Sequence, residues 1–457
     1  MTATPPPADL IALAARVSDW SAEPSDLAAV RTDRSGLTPA GTPDLVIRAA
    51  TVDDVVATLT HASELGVPVV TRGAGTGLSG GAAAGAGEIV LDVSGMNRIL
   101  ELDPDNGIAR VEPGVITAAL DAEAARHGLR YAPDPASAAI STIGGNIATN
   151  AGGLRCVKYG VTRDAVLALD VVLGDGRRIR TGRATSKGVT GYDLTGLFVG
   201  SEGTLGVVVE ATVRLTPRPA RTQTVTATFV TVAEAADSVN AVLRAGLVPS
   251  TLELLDHATL VAIDAANGTS LAAAGAAFLL VQTDGLGGES EMRLVREILA
   301  HNAIRVQAAA DEAQAEQLLQ VRRLALPSIE RLGRVLIEDI AVPRTRLSEA
   351  VDGIAEISRR TGVKIFTFAH AGDGNLHPIV LTEAGPTDPI PEPVQAAVGD
   401  VFALALRLGG TLTGEHGVGV LKRPWLPDEL GDVNLGVHHS LKSVFDPAGI
   451  LNPGKAI

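Results

Sequence analysis

Residues 43–73, PDLVIRAATVDDVVATLTHASELGVPVVTRG, change their hydrophobic period twice. LVIRA is a short apolar run suited to a buried strand. Behind it Val55, Val56 and Leu59 recur at helical spacing, and Thr51 with Asp54 three positions on is a capping-box pattern. VPVVTRG is again a continuous apolar run, and it breaks into glycine. The stretch predicts strand, helix, strand. EIVLDVSG and GIARVEPGVI predict further strands, TAALDAEAARHGL a helix stopped by Gly128, and GTLGVVVEATVRLTPRPA a strand ending at Pro217 and Pro219. Beyond that pair TQTVTATFVT, PSTLELLD, AAFLLVQTDG and KIFTFAHAGDG predict strands with helices between them, as expected of an α+β unit with an antiparallel sheet. The tail, VNLGVHHSLKSVFDPAGILNPGKAI, predicts a helix and a Pro/Gly-rich end. No repeat recurs at a fixed period. The expected organisation is α+β throughout, divided as 1–217, 218–425 and 426–457.

Composition narrows the function classes. A chain of 457 residues exceeds one ordinary core, and 46% hydrophobic with 20% charged residues is a globular balance. The net charge of −14, with no Lys/Arg run, argues against a nucleic-acid partner. Cys156 is the single cysteine, which excludes an intramolecular disulfide and a thiolate metal cage. That usage fits a reducing compartment. The start, MTATPPPADLIALAAR, lacks the basic and apolar regions of a signal peptide. The longest apolar stretch, LAAAGAAFLLV, falls short of the roughly 20 residues of a spanning helix. The expected location is cytoplasmic, with peripheral membrane contact left open.

RGAGTGLSGG, residues 72–81, contains a literal G-x-G-x-x-G at Gly75, Gly77 and Gly80, and Asp92 ends the next strand. This imitates a Rossmann fingerprint, but that loop must open a helix. Here GAAAGAG leads straight to a strand, a gap read as too short and too glycine-rich for a parallel crossover. The reading is therefore a phosphate-cradling loop of unhindered N–H groups outside a Rossmann fold. STIGGNIATNAGG (141–153) and GLFVGSEGTLGVV (196–208) are two more glycine-rich runs. Three such runs suit a long dinucleotide ligand, and the missing Rossmann helix favours flavin over nicotinamide.

FAHAGDGNLHPIVL holds His370 and His377 around Asp373-Gly374. With Asp-Gly as a two-residue type I′ turn, His370 pairs directly with His377, Phe368 with Ile379 and Phe366 with Leu381. Opposed Cβ atoms lie about 4.5–5.5 Å apart, so both imidazoles reach one ion over an apolar floor. Pro378, lacking an N–H, is expected on an edge strand or where the strand leaves the sheet. TGEHGVG, 413–419, adds Glu415 and His416, and His with carboxylate is a divalent-metal donor set. Arg322, in LLQVRRLALPSIE, lies on a helix interrupted by Pro327.

In order along the chain, RGAGTGLSGG, PDPAS with TIGGNIATNAGG and KYG, GVTGYDLTGLFVGSEGTLG, HAGDGNLHP, GEHGVG and ILNPGK resemble the FAD-linked 2-hydroxyacid dehydrogenase family over residues 40–457. That family includes the glycolate oxidase FAD subunit, cytochrome-type D-lactate dehydrogenase and D-2-hydroxyglutarate dehydrogenase. The resemblance implies a vanillyl-alcohol-oxidase-type (PCMH-like) FAD domain over 1–217, a substrate-side cap over 218–425 and a tail, 426–457, that returns to the FAD domain. It implies non-covalent FAD at Arg72, Gly73, Ala74, Gly75, Thr76, Gly77, Leu78, Ser79, Gly80, Pro135, Thr142, Gly145, Asn146, Thr149, Gly152, Glu202, Gly203, Gly206, Val207 and Asn452. It matches His370, His377 and Glu415 to metal ligands (zinc favoured, manganese or iron as alternatives), His416 to a catalytic base and Arg322 to the arginine that grips a substrate carboxylate. The IEDIAVPR segment also matches, with no role assigned to Glu338 or Asp339.

The implied reaction oxidises a D-2-hydroxy acid to the 2-oxo acid by hydride transfer to flavin N5. A quinone, a cytochrome or an electron-transfer flavoprotein then accepts the electrons. Leu326 stands where the dicarboxylate-specific branch has a polar residue, which favours D-lactate or glycolate over 2-hydroxyglutarate. A metal-dependent hydrolase would explain the His/His/Glu set but leave three glycine runs idle. A non-catalytic flavin subunit is the third reading, opposed by the presence of His416. A homodimer is among the oligomeric states left open.

Overall fold

The capping box forms as the sequence predicts. Thr51 Oγ1 accepts from Asp54 N, the Asp54 carboxylate accepts from Thr51 N, and the helix Val52–Leu65 ends at Gly66 with φ 68°. The computed structural model describes residues 7–185, 187–385 and 388–457. The first six residues, part of the stretch read for a leader, lie outside the described residues. The chain forms two compact units, one of residues 1–152, 160–218 and 415–457, the other of 153–159 and 219–414. The chain passes between the units after 152, 159, 218 and 414. Segment 153–159 joins the second unit because Lys158 Nζ (2.6 Å) and Tyr159 Oη (2.8 Å) both donate to the buried Asp284 carboxylate.

The first unit carries a four-stranded and a five-stranded sheet, and a two-stranded pair, Leu129–Arg130 with Thr216–Pro217. Strands Trp20–Ser21, Leu45–Arg48, Ile89–Asp92 and Val69–Arg72 lie side by side in that order. The last three are parallel, with Val69 opposite Ile89 and Arg72 opposite Asp92. This corrects the expectation that the glycine loop cannot serve a parallel pair. Residues 73–88 make the crossover themselves, without a helix. Side chains hold this irregular path. Arg72 Nη1 donates to Thr32 O (2.9 Å) and Ala82 O (3.3 Å), Asp33 Oδ2 accepts from Ala82 N, and Lys455 Nζ donates to Ala83 O (2.7 Å). The Rossmann helix is absent from the crossover, as read. The second sheet is antiparallel, in the order Ile99–Asp103, Ile108–Val111, Val207–Arg214, Val166–Val172, Arg178–Gly182.

The second unit is built on one antiparallel sheet. Its order is Arg305–Ala308, Thr222–Phe229, Ala277–Asp284, Thr251–Asp256, Ile365–His370, Asn375–Thr382, Arg334–Ile337, and Ile340–Ala341 also pairs with Asn375–Thr382. Here the hairpin register differs from the expected one. His370 pairs with Asn375 and Phe368 with His377, so the connection is four residues, Ala371–Gly374, not a two-residue turn. Asp373 N and Gly374 N both donate to His370 O, and Val342 N donates to Gly374 O at 3.0 Å. Docking against Val342 overrides the local Asp-Gly preference. The shift is two residues, so every side chain keeps its face. Phe366, Phe368 and Ile379 remain the apolar floor, packed with Leu255 and Leu260.

Pro378 also departs from expectation, because its strand is interior. It sits where the neighbouring strand is interrupted, between the pairs Ile337–Ile379 and Ile340–Leu376. Its carbonyl accepts from Glu338 N there. A strand residue's N–H and C=O point the same way, so the missing N–H faces this gap in the ladder. Among the described residues no helix is long and apolar enough to cross a membrane.

Candidate active site

In the second unit, strand alternation puts His370 and His377 on one buried face. Their ring centroids are 5.0 Å apart at 84°, and His377 also lies 5.4 Å from the Phe368 ring. Glu253, on the neighbouring strand, is directly opposite His370 in register. Its Oε1 is 2.7 Å from His370 Nδ1 and its Oε2 accepts from Arg322 Nε at 2.7 Å. Arg322 comes from the helix Glu312–Arg323, which ends before a second short helix, Ala325–Glu330, containing Pro327. Its guanidinium carbon sits 4.3 Å over the Phe368 ring, a cation–π contact that fixes the plane of the fork.

Glu253 is 1% exposed, and burial by itself raises its carboxyl pKa. His370 and Arg322 more than reverse this and hold the carboxyl below its ordinary range. An ionised carboxylate only accepts, so His370 Nδ1 carries the proton of this contact, and a neutral ring then has its lone pair on Nε2, the atom a metal requires. Asp339 is fully buried. It accepts from Asn375 Nδ2 (2.6 Å) and Thr413 Oγ1 (2.7 Å), and its Oδ1 lies 3.8 Å from His377 Nδ1. The two imidazoles and the Asp339 carboxylate are residue types that bind divalent cations, whereas Glu253 has both oxygens engaged by His370 and Arg322. Gly414 closes this end of the unit, since a Cβ there would stand 2.2 Å from Asn375 Nδ2.

In the first unit, Glu415 and His416 open a clamped loop. Ser79 Oγ donates to His416 O (3.1 Å) and Gly417 O (2.8 Å), and Glu202 accepts from Val418 N (2.7 Å) and Gly419 N (2.9 Å). Asn452 Nδ2 in turn donates to Glu202 O at 2.6 Å. Burial pushes the Glu202 carboxyl above its ordinary range against the pull of those two N–H groups. Glu415 lies against Gly152, where a Cβ would stand 2.3 Å from Oε2. His416 Nε2 is 4.0 Å from Glu415 Oε1.

The glycine loop fits an anionic ligand. Among the described residues, the N–H groups of Ala74, Gly75, Thr76, Gly77 and Leu78 have no hydrogen-bond acceptor. Such a run of donors is an anion-binding nest. A Cβ at Gly73 would meet Thr142 Oγ1 at 2.4 Å and one at Gly80 would meet Leu37 at 2.7 Å, whereas one at Gly77 would approach only Asp33 Oδ2, at 3.5 Å. The loop is thus packed at Gly73 and Gly80, and at Gly75 (φ 67°), where a Cβ would run into the Arg72 guanidinium, and it is open at Gly77. Lys455, buried nearby, has its ammonium pulled down to about 8 by that burial, against the opposing effect of Glu88 and Asp33.

The candidate cofactor residues divide into two kinds. Arg72, Ser79, Asn146, Glu202 and Asn452 spend their side chains on the protein, Asn146 on Thr117 Oγ1 at 2.7 Å. They shape the cradle. Thr142 caps the helix Ile143–Thr149 through Gly145 N, and Thr149 Oγ1 donates to Gly145 O. Gly206 is a packing position, since a Cβ would stand 2.5 Å from Val171, and Val207 pairs with Val172 in the antiparallel sheet. Gly203 takes φ 72° over Asn452. Pro135 lies in the loop before that helix, where its carbonyl accepts from Ala138 N. Motif reading missed Glu253, Asp33, Lys455 and the role of Asp339. A lone Glu within the apolar run TLELLD is the one signal that could have exposed the first.

Comparison with known proteins identifies the family of the chain. Residues 43–182 match the FAD binding domain family and residues 218–456 match the FAD linked oxidases, C-terminal domain family. The chain is 45% identical to the glycolate oxidase subunit GlcD of Bacillus subtilis, over 90% of this chain and 88% of that protein. It is 37% identical to a D-lactate dehydrogenase of Archaeoglobus fulgidus, over 90% and 91% respectively. Its fold is that of p-cresol methylhydroxylase, with a TM-score of 0.81 over 98% of this chain and 96% of that one at 18% identity. A flavin-binding enzyme of α+β, vanillyl-alcohol-oxidase-type architecture, this chain belongs to the family of FAD-linked oxidases.

Proposed function

We propose that the chain oxidises a small D-2-hydroxy acid, D-lactate or glycolate, to the 2-oxo acid. The carrying observation is the bridge through Glu253, which locks a carboxylate-gripping guanidinium and a metal-ready imidazole on one buried face. The named activities of the relatives, glycolate oxidase subunit and D-lactate dehydrogenase, support the same substrate class. Leu326 packs at the edge of the apolar cluster of the second unit, which favours a short monocarboxylate over a dicarboxylate such as 2-hydroxyglutarate.

Arg322 has its Nε committed to Glu253, and the Nη edge of its fork grips the substrate carboxylate in bidentate fashion. By the family resemblance, His370, His377 and Glu415 would hold a divalent ion, zinc being the favoured choice. When bound, FAD supplies the two-electron acceptor and the ion the Lewis acidity that makes the substrate hydroxyl acidic. His416 takes the hydroxyl proton, held in place by Ser79 and Glu202 on its loop. A quinone, cytochrome or electron-transfer flavoprotein reoxidises the enzyme.

The test is anaerobic reduction of the protein-bound flavin by D-lactate and glycolate in wild type and His416→Ala. Bleaching in wild type and a large rate loss in the variant are expected. Equal rates in the two proteins would remove His416 from its role.

A further inference from the structure

Glu253 belongs to no recognised motif of the chain, yet it contacts two functional candidates at once. The Thr251–Asp256 strand sets it opposite His370, and each of its oxygens has one partner, His370 Nδ1 and Arg322 Nε, both at 2.7 Å. It is 1% exposed, in a strand whose other residues are apolar apart from Thr251 and Asp256 at its ends. A buried carboxylate with both oxygens engaged in this way has no freedom to rotate, and neither have its partners. We infer that Glu253 is the positioning residue of the site, setting the His370 tautomer and the edge that Arg322 presents to the substrate. This rests on the reading of His370 as a metal ligand and Arg322 as the carboxylate grip.

The chemistry makes a specific demand. His370 Nδ1–H and Arg322 Nε–H are both donors, and only a carboxylate offers an acceptor to each. Glutamine at 253 has one acceptor and one donor. If its oxygen keeps Arg322, its amide N–H faces His370 Nδ1, which must then hold a lone pair. The ring proton moves to Nε2, the nitrogen meant for the ion. Glu253→Gln therefore spoils metal binding without changing side-chain volume. Glu253→Asp retains both acceptors but is one methylene too short to span both partners.

The experiment uses the full-length, FAD-loaded chain, stripped of metal by a chelator. Zn²⁺ is titrated against a competing indicator in wild type, Glu253→Gln and Glu253→Asp. The His370 tautomer is read by ¹⁵N NMR in the stripped protein, and KM and kcat for D-lactate by dye reduction. Expected are an Nδ1–H tautomer in wild type and an Nε2–H tautomer in Glu253→Gln. Zn²⁺ affinity should fall by roughly 10- to 100-fold in Glu253→Gln, with a raised KM and an unchanged flavin spectrum. Glu253→Asp should fall between. An Nε2–H tautomer in wild type overturns the proposal and needs no variant. So does a Glu253→Gln protein with wild-type Zn²⁺ affinity and KM. A wild type that takes up no Zn²⁺ and oxidises no 2-hydroxy acid defeats the functional reading instead, while the tautomer still tests Glu253.

Discussion

Gly152→Ala is a narrow perturbation of the proposed site. A Cβ at Gly152 would stand 2.3 Å from Glu415 Oε2, and 3.3 Å from its Cβ and Cδ. Gly152 does not take a positive φ, so the substitution adds a methyl group without backbone strain. To restore an ordinary contact of 3.4 Å the carboxylate must move about 1 Å. Overpacking typically costs about 1–3 kcal/mol, and a carboxylate that can swing keeps the cost near the low end. Function is less forgiving. A displacement of about 1 Å in a positioned group costs on the order of 10²-fold in rate, equivalent to about 2.7 kcal/mol of barrier. The expected result is a roughly 10²-fold fall in kcat/KM for D-lactate with weakened Zn²⁺ retention. Thermal melting should barely change. The assays are dye reduction, metal analysis after dialysis and a thermal melt. Wild-type kcat/KM and wild-type metal content in a folded Gly152→Ala protein would refute the placement of Glu415 in the site.

Three further outcomes follow from individual contacts. Arg322→Lys retains the charge but loses the fork, so kcat/KM for D-lactate should fall by about 1.5–3 kcal/mol, mostly through KM; an unchanged KM counts against the grip. Glu202→Ala leaves Gly419 N–H buried without its acceptor, about 1–3 kcal/mol of stability, and frees the loop that carries His416, so both melting temperature and kcat should drop, Glu202→Gln less so. Lys455 has a folded pKa of about 8 against 10.5 ordinarily, so its contribution is fully present above the unfolded value and lost as pH falls through the folded one. Urea unfolding should therefore show a gain of about 3 kcal/mol in the wild type relative to Lys455→Met between pH 7 and 10.5, and a pH-independent difference would contradict it.

The facing histidines are legible in sequence because alternation along a strand sets the face, and a slip of two residues does not change it. The turn is not legible, because Val342, far along the chain, docks on Gly374 and outweighs the local Asp-Gly preference. The glycine loop announces anion binding through its composition. Its role as a parallel crossover is hidden, because Arg72, Asp33 and Lys455, which hold the path, are scattered from 33 to 455. Glu253 is the clearest omission. Its partners lie 69 and 117 residues away, and only the pairing of two distant strands makes it central. Hydrophobic period reads one strand at a time. A buried ion bridge between strands is a property of the assembled sheet.

The central claim is a flavin- and metal-dependent oxidation of a D-2-hydroxy acid. Dye reduction by the FAD-loaded chain, with D- and L-lactate, glycolate and D-2-hydroxyglutarate, before and after EDTA and again after Zn²⁺, tests it most directly. The account predicts turnover of D-lactate or glycolate over L-lactate and 2-hydroxyglutarate, lost with EDTA and restored by the ion. Turnover indifferent to EDTA and to the hand of lactate would contradict it.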